Sequence, residues 1–218
     1  MEHTQGCPVL KNNPLGYVPK AYVGRTAPAF GGQAWDFSKK KIIDLKSENF
    51  KGKYVVLFFY PLDFTFVCPT EITDFQDNLA LFNELDTVII GASVDSVFSH
   101  REWTLKDRKT GGLGALDFPL LSDINKTVAK DFGVLNEDGV ALRATFIIDR
   151  EGKLKHASIN DLNVGRNIGE TVRLIKAFQY SDQYGDVCPA KWEPGKPTME
   201  GTHDSDKTKT YFDKHMAQ

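Results

Sequence analysis

Seven consecutive residues, Tyr54-Val-Val-Leu-Phe-Phe-Tyr60, are apolar and dominated by β-branched and aromatic side chains. A strand with one face in water would alternate, so this run reads as a strand buried on both faces. Downstream, Ile72, Phe75, Leu79, Phe82 and Leu85 recur at spacings of three and four, one apolar stripe of a helix over residues 72 to 85. Thr87-Val-Ile-Ile-Gly-Ala-Ser-Val94 then reads as a second buried strand. Strand, helix and strand at this spacing make a βαβ unit, whose two strands must run parallel.

Further elements extend the unit. Residues 99 to 109 and 125 to 132 read as helices, the second with Val128, Ala129 and Phe132 on one face. Thr145-Phe-Ile-Ile-Asp149, a turn at Glu151-Gly152 and residues 153 to 159 read as a hairpin. An amphipathic helix over 168 to 180 closes the domain. A central mixed sheet flanked by helices, beginning with βαβ and ending in a hairpin and a helix, is an α/β arrangement of the thioredoxin-like kind. Residues 1 to 24 are rich in Pro, Gly and Asn without periodicity and read as an irregular extension. The thioredoxin-like domain spans 25 to 180. Residues 181 to 218 form a polar C-terminal arm that docks through isolated aromatics, Trp192, Tyr211 and Phe212.

Composition narrows the function. A net charge of −2 gives no global field for nucleic acid or an anionic membrane, and Lys39-Lys40-Lys41 is a short solvated cluster. No apolar run approaches the roughly 18 residues that cross a bilayer, and residues 1 to 20 have no apolar leader segment. The three cysteines, Cys7, Cys68 and Cys188, are too few for a disulfide scaffold, and none belongs to a CxxC pair. Five histidines show no ligand spacing, so neither metal nor another cofactor is expected. The expected compartment is the reducing cytosol, where sparse cysteines are either inert or redox-active.

The segment Tyr60-Pro-Leu-Asp-Phe-Thr-Phe-Val-Cys-Pro-Thr-Glu71 decides between those two readings. It follows the carboxyl end of a parallel strand, where open α/β sheets place their sites. Pro69 favours the first turn of a helix, which sets the Cys68 sulfur beside unpaired N–H groups and the positive end of the helix dipole. Both features favour the thiolate, the nucleophilic form. Pro61 can shield the sulfur, and the Thr65 hydroxyl can turn toward it as donor and acceptor. Glu71 can hold a cationic partner, or simply complement the helix start.

The pattern Pro61-xxx-Thr65-xx-Cys68 resembles the active-site motif of peroxiredoxins, and Phe64-Thr-Phe-Val-Cys-Pro-Thr-Glu71 resembles that of their typical two-cysteine class. Gly91-Ala-Ser-Val-Asp-Ser96, Trp103, Phe118-Pro-Leu-Leu-Ser-Asp123, Phe146-Ile-Ile-Asp149, Val164-Gly165-Arg166 and Val187-Cys-Pro-Ala190 continue the likeness over residues 22 to 215. The resemblance implies a peroxidase acting on hydrogen peroxide and organic hydroperoxides. Cys68 becomes a sulfenic acid, and Cys188 of the partner subunit captures it as an intersubunit disulfide that thioredoxin reduces. Arg143 then matches the family's catalytic arginine, and Arg166 a second arginine that orders the site through Glu71. Asn163 stands where the family usually has Pro.

The resemblance also implies a homodimer and, commonly, a decamer of five dimers. Gly111-Gly112-Leu113-Gly114 and Tyr211-Phe212 resemble the signatures of eukaryotic-type members that are sensitive to overoxidation, in which the arm covers the site and slows its unfolding. Cys7 falls outside the resemblance and is expected to be incidental. Two other functions compete. A disulfide reductase would present two cysteines two residues apart, which this chain lacks; a chaperone or redox-signalling scaffold on the same oligomer stays open.

Overall fold

In the computed structural model, which describes residues 16 to 216, seven strands join into one sheet. They are β1 (Gly31–Asp36), β2 (Lys41–Lys46), β3 (Tyr54–Phe59), β4 (Thr87–Ser93), β5 (Leu120–Ser122), β6 (Arg143–Ile148) and β7 (Leu154–Asn160). Their order is β2-β1-β5-β4-β3-β6-β7, with β3, β4 and β5 parallel and every other pairing antiparallel. The chain divides into two compact units, one running to Arg166 and containing the whole sheet, the other starting at Asn167.

The expected βαβ unit is present, and its first strand is buried on both faces along its full length. Val55, Leu57 and Phe59 point to one side, where Phe132 and Phe146 meet Phe59 edge-on or tilted at 5.6 and 5.8 Å. Val56, Phe58 and Tyr60 take the other side, as the two-residue period of a strand requires. Each such side chain, fully buried, contributes roughly 1.5–3 kcal/mol. Phe58 stacks on Phe75 at 4.3 Å, which seats the following helix on the sheet. That packing explains a glycine in the middle of β4: a Cβ at Gly91 would meet the Phe58 ring at 2.7 Å and Leu120 at 2.8 Å.

The helices are α1 (Cys68–Asp77), α2 (Leu79–Glu84), α3 (Val97–Leu105), α4 (Thr127–Asp131), α5 (Ile168–Tyr184) and α6 (Asp206–His215). The single helix expected over 72 to 85 starts earlier and is broken in two. Asn78 turns its amide back to the Asp74 carbonyl and carboxylate, both at 2.9 Å, offering the backbone an alternative to the next helical turn. The apolar stripe survives the break, with Ile72, Phe75 and Phe82 buried. The helix expected over 99 to 109 is α3, capped by Ser96 and ending at Leu105, followed by a 3-10 turn at Arg108–Thr110. That over 125 to 132 shortens to α4, whose first N–H groups are taken by Asp123, from Val128 at 3.0 Å and Ala129 at 2.7 Å. The hairpin is β6–β7.

Three strands leave little mark in the sequence. β1 opens on Gly31-Gly32, β2 is mostly exposed, and β5 is three residues long. In the second unit, α5 runs on to Tyr184, and the arm contains a helix, α6, where the sequence shows only polar residues and scattered aromatics. Trp192 is buried at 2% exposure and Phe212 is 37% exposed, so the aromatics are not equivalent anchors. Cys7 and most of the expected N-terminal extension lie outside the described residues.

Candidate active site

β3 ends at Phe59, and the chain crosses residues 60 to 67 before entering α1 at Cys68. Pro69 occupies the first turn and no side chain caps the helix, whose Thr70 and Glu71 N–H groups donate to the Val67 carbonyl at 3.0 and 3.3 Å. Cys68 is fully buried. The Arg143 Nη1 donates to its Sγ at 3.3 Å and to the Glu71 carboxylate at 2.7 Å, while Nε donates to the Leu162 carbonyl at 2.7 Å. Arg143 begins β6, the strand antiparallel to β3, and this sheet register carries it across to the head of α1.

Glu71, one turn into α1, is the hub. Its second oxygen accepts from the Arg166 backbone N–H at 3.1 Å and from Nε at 2.9 Å. Arg166 also donates to the Phe59 and Ala144 carbonyls at 2.6 and 2.9 Å, tying β3 to β6, and its guanidinium lies 5.2 Å from the centre of the Phe58 ring. One carboxylate therefore holds two guanidiniums. Burial pulls the Arg143 pKa down, but contact with the Cys68 sulfur and Glu71 outweighs it and the net shift is upward. For Arg166 burial prevails over Glu71, and the net shift is downward. Both guanidiniums remain cations near neutral pH.

The other expected residues fall in less uniform places. Pro61 is buried beside the loop start. Thr65 is half-buried and its hydroxyl proton goes to the Leu62 carbonyl at 3.1 Å rather than to the sulfur, closing a tight local turn. Asn163 lies next to Leu162, whose carbonyl holds Arg143. The Gly111–Gly114 segment closes the end of α3: Leu113 N–H donates to the Trp103 carbonyl and Gly114 N–H to that of Lys106, both at 3.1 Å. A Cβ at Gly112 would lie 2.1 Å from the Lys106 oxygen, so only glycine fits there. Cys188 is half-buried in the second unit, with Sγ 3.6 Å from the Ala177 carbonyl.

Sequence reasoning missed a buried polar cluster beneath the loop. Tyr60 OH donates to Asp63 at 3.0 Å, and the same carboxylate meets His100 Nδ1 at 2.8 Å. Asp63 N–H donates to Asp95 at 2.9 Å, which also accepts from the Ser93 hydroxyl at 2.8 Å. Burial and then the charge of Asp63 hold the Tyr60 hydroxyl well above its usual pKa, keeping it a donor. The cluster pins residues 60 to 63 although Phe64, at φ +57°, adopts a backbone that L side chains disfavour. Its partners lie 37 residues apart in sequence, and no periodicity links them.

The chain matches known proteins over most of its length. Residues 23–157 fit the model of the AhpC/TSA family, and residues 177–214 that of the C-terminal domain of 1-Cys peroxiredoxin. Bos taurus peroxiredoxin-2 is 51% identical over 202 residues, 92% of this chain and 100% of that protein. Drosophila melanogaster peroxiredoxin 2 is 51% identical over 190 residues, 87% of this chain and 96% of that one. The chain belongs to the peroxiredoxins. Among solved structures, the reduced 2-Cys peroxiredoxin of Plasmodium vivax superposes with a TM-score of 0.82 at 42% identity, covering 84% of this chain and 95% of that one. The seven-stranded sheet with its helices is thus the thioredoxin-like fold of the 2-Cys peroxiredoxins, and the chain is a thiol-dependent peroxidase. Among the described residues, no His, Cys, Asp or Glu cluster is placed to hold a metal ion, and no helix is long and apolar enough to cross a membrane.

Proposed function

We propose that Cys68 is the peroxidatic thiol of this peroxiredoxin and Cys188 of a partner subunit its resolving thiol. The observation that carries the first assignment is the Arg143 guanidinium 3.3 Å from the Cys68 sulfur at the head of α1. A fixed cation and a helix N-terminus are the surroundings in which reactive cysteines are found. The thiolate attacks the terminal oxygen of a hydroperoxide. The O–O bond breaks, the sulfur becomes a sulfenic acid, and the departing alkoxide or hydroxide takes a proton from solvent. Arg143 donates to the peroxide as charge builds on the leaving oxygen. Thr65, with its proton committed to Leu62, offers its oxygen as acceptor for the peroxide O–H. Pro61 shields the site, and Glu71 with Arg166 keeps Arg143 aligned.

The Cys188 thiol then condenses with the sulfenic acid, forming a disulfide and releasing water. A dithiol protein such as thioredoxin returns both sulfurs to thiols by exchange. We infer a homodimer that assembles further into a ring. Among the family's solved structures, an N-terminally modified Plasmodium yoelii Prx1a forms an octamer described as artifactual. Hydrogen peroxide and organic hydroperoxides are its substrates, and the reducing cytosol, where sparse cysteines stay reduced, is its place of work. The Gly111–Gly114 turn and the Tyr211-Phe212 pair are read as the elements that prolong the sulfenic acid and expose it to a second oxidation.

Mass spectrometry after one equivalent of peroxide tests the pairing. A Cys68–Cys188 bridge between subunits is expected in the wild type and absent from Cys68→Ser and Cys188→Ser. Peroxide turnover that survives Cys68→Ser overturns the reading.

A further inference from the structure

A buried carboxylate stands at the centre of the segment carrying Cys188. Asp186, two residues before the thiol, is only 7% exposed. Its Oδ2 accepts from the Thr198 hydroxyl at 2.6 Å and from the Lys207 ammonium. Its own carbonyl accepts from Ser181, near the end of α5, at 2.7 Å. The next residue, Val187, exchanges both backbone hydrogen bonds with Met199, at 2.8 and 3.1 Å. Asp186 therefore stands where the end of α5, the 198–199 segment and α6 converge.

The helix it fastens has few other holds. α6 buries only Thr208, whose hydroxyl donates to the Glu200 carbonyl at 2.9 Å. Lys207, in its first turn, reaches Asp186 directly. A helix of ten residues with so little buried surface depends on tertiary contacts to persist.

We propose that Asp186 is a positioning residue for the second thiol: its carboxylate fastens α6 to the Cys188 segment and so sets how readily that segment comes free to react. This rests on Cys188 being the resolving thiol. The same carboxylate also bears on the thiol's chemistry. Burial raises the Cys188 pKa, the negative charge of Asp186 raises it further, and the Arg173 guanidinium opposes both. While the segment is docked, Cys188 stays a neutral thiol, with its S–H turned to the Ala177 carbonyl. Reaction with a sulfenic acid requires it to lose that proton, form the S–S bond and expel the sulfenic oxygen as water.

Two variants separate anchoring from charge. Asp186→Asn removes both the anchor and the negative charge; Lys207→Met removes the anchor to α6 and leaves the charge. Hydrogen exchange of amides 206 to 215 is expected to speed up in both. Disulfide formation after a pulse of peroxide, followed by quenched non-reducing gels, is expected to become severalfold faster in both. The pH profile of Cys188 alkylation is expected to move further toward lower pH in Asp186→Asn than in Lys207→Met, which a merely structural residue would not produce. Wild-type exchange in both variants, or matching alkylation profiles in the two, overturns the proposal while leaving Cys188 as resolving thiol. Absence of the Cys68–Cys188 disulfide from the wild type and both variants removes the role of Cys188, and the proposal falls with it.

Discussion

Around Cys68, each nearby charge has a fixed partner: Glu71 takes Arg143 on one oxygen and Arg166 on the other, and both guanidiniums also reach backbone carbonyls of the sheet or the adjoining loop. All three side chains are about 5% exposed or less. Around Cys188, the thiol is half-buried, its hydrogen bond to the Ala177 carbonyl is a long sulfur contact, and the Asp186 carboxylate reaches the nearby helix. The difference suits the roles proposed for the two sulfurs. Bond breaking in a peroxide gains from donors fixed in advance, because reorganising them at the moment of reaction would cost rate. Forming a disulfide needs Cα atoms within about 7 Å, so at least one of the two segments must be able to leave its resting place.

The largest test is aimed at the rigid side. Arg143→Met is expected to lower peroxide turnover by about 10²–10³-fold, the usual cost of losing a donor aimed at developing charge. Stopped-flow measurement of peroxide consumption checks this, and a decrease of less than tenfold would break the contrast. Next, Glu71→Gln leaves two buried guanidiniums without a full counter-charge, and removing one partner of a buried pair costs about 3–5 kcal/mol. Denaturant unfolding should show that loss together with a fall in activity. The smallest effect belongs to the loose side: replacing Tyr211 or Phe212 by Ala is expected to leave single-turnover peroxide reduction unchanged and to raise, by a modest factor, the peroxide concentration that inactivates the enzyme. Unaltered inactivation in both variants would detach that pair from the second thiol's mobility.

Much of this architecture is legible in the residues. The Tyr54–Tyr60 run, the stripe from Ile72 to Phe82 and the Thr87–Ser93 strand carry their own periodicities, because each buries a face along its own length. Pro69 after Cys68 marks the helix start for an equally local reason, the fit of proline's fixed φ to a first turn. Arg143 and Arg166 were reached only through a likeness to other sequences, since nothing in their neighbours separates them from surface arginines. Strands β1, β2 and β5 left too short or too exposed a pattern, and the break at Asn78 turns on a side chain competing with the backbone.

By itself, then, the sequence determined the βαβ core, the hairpin and the position of a thiol at a helix head. Each follows from interactions spanning a few residues, which a periodic pattern or a proline records directly. Only the tertiary structure decided that Arg143 and Arg166 meet one carboxylate, that Tyr60, Asp63, Asp95 and His100 form one buried cluster, and that Asp186 reaches α6. Apart from the local Tyr60–Asp63 bond, those contacts join residues from about twenty to nearly a hundred positions apart, and the pairing of strands and the seating of helices bring them together.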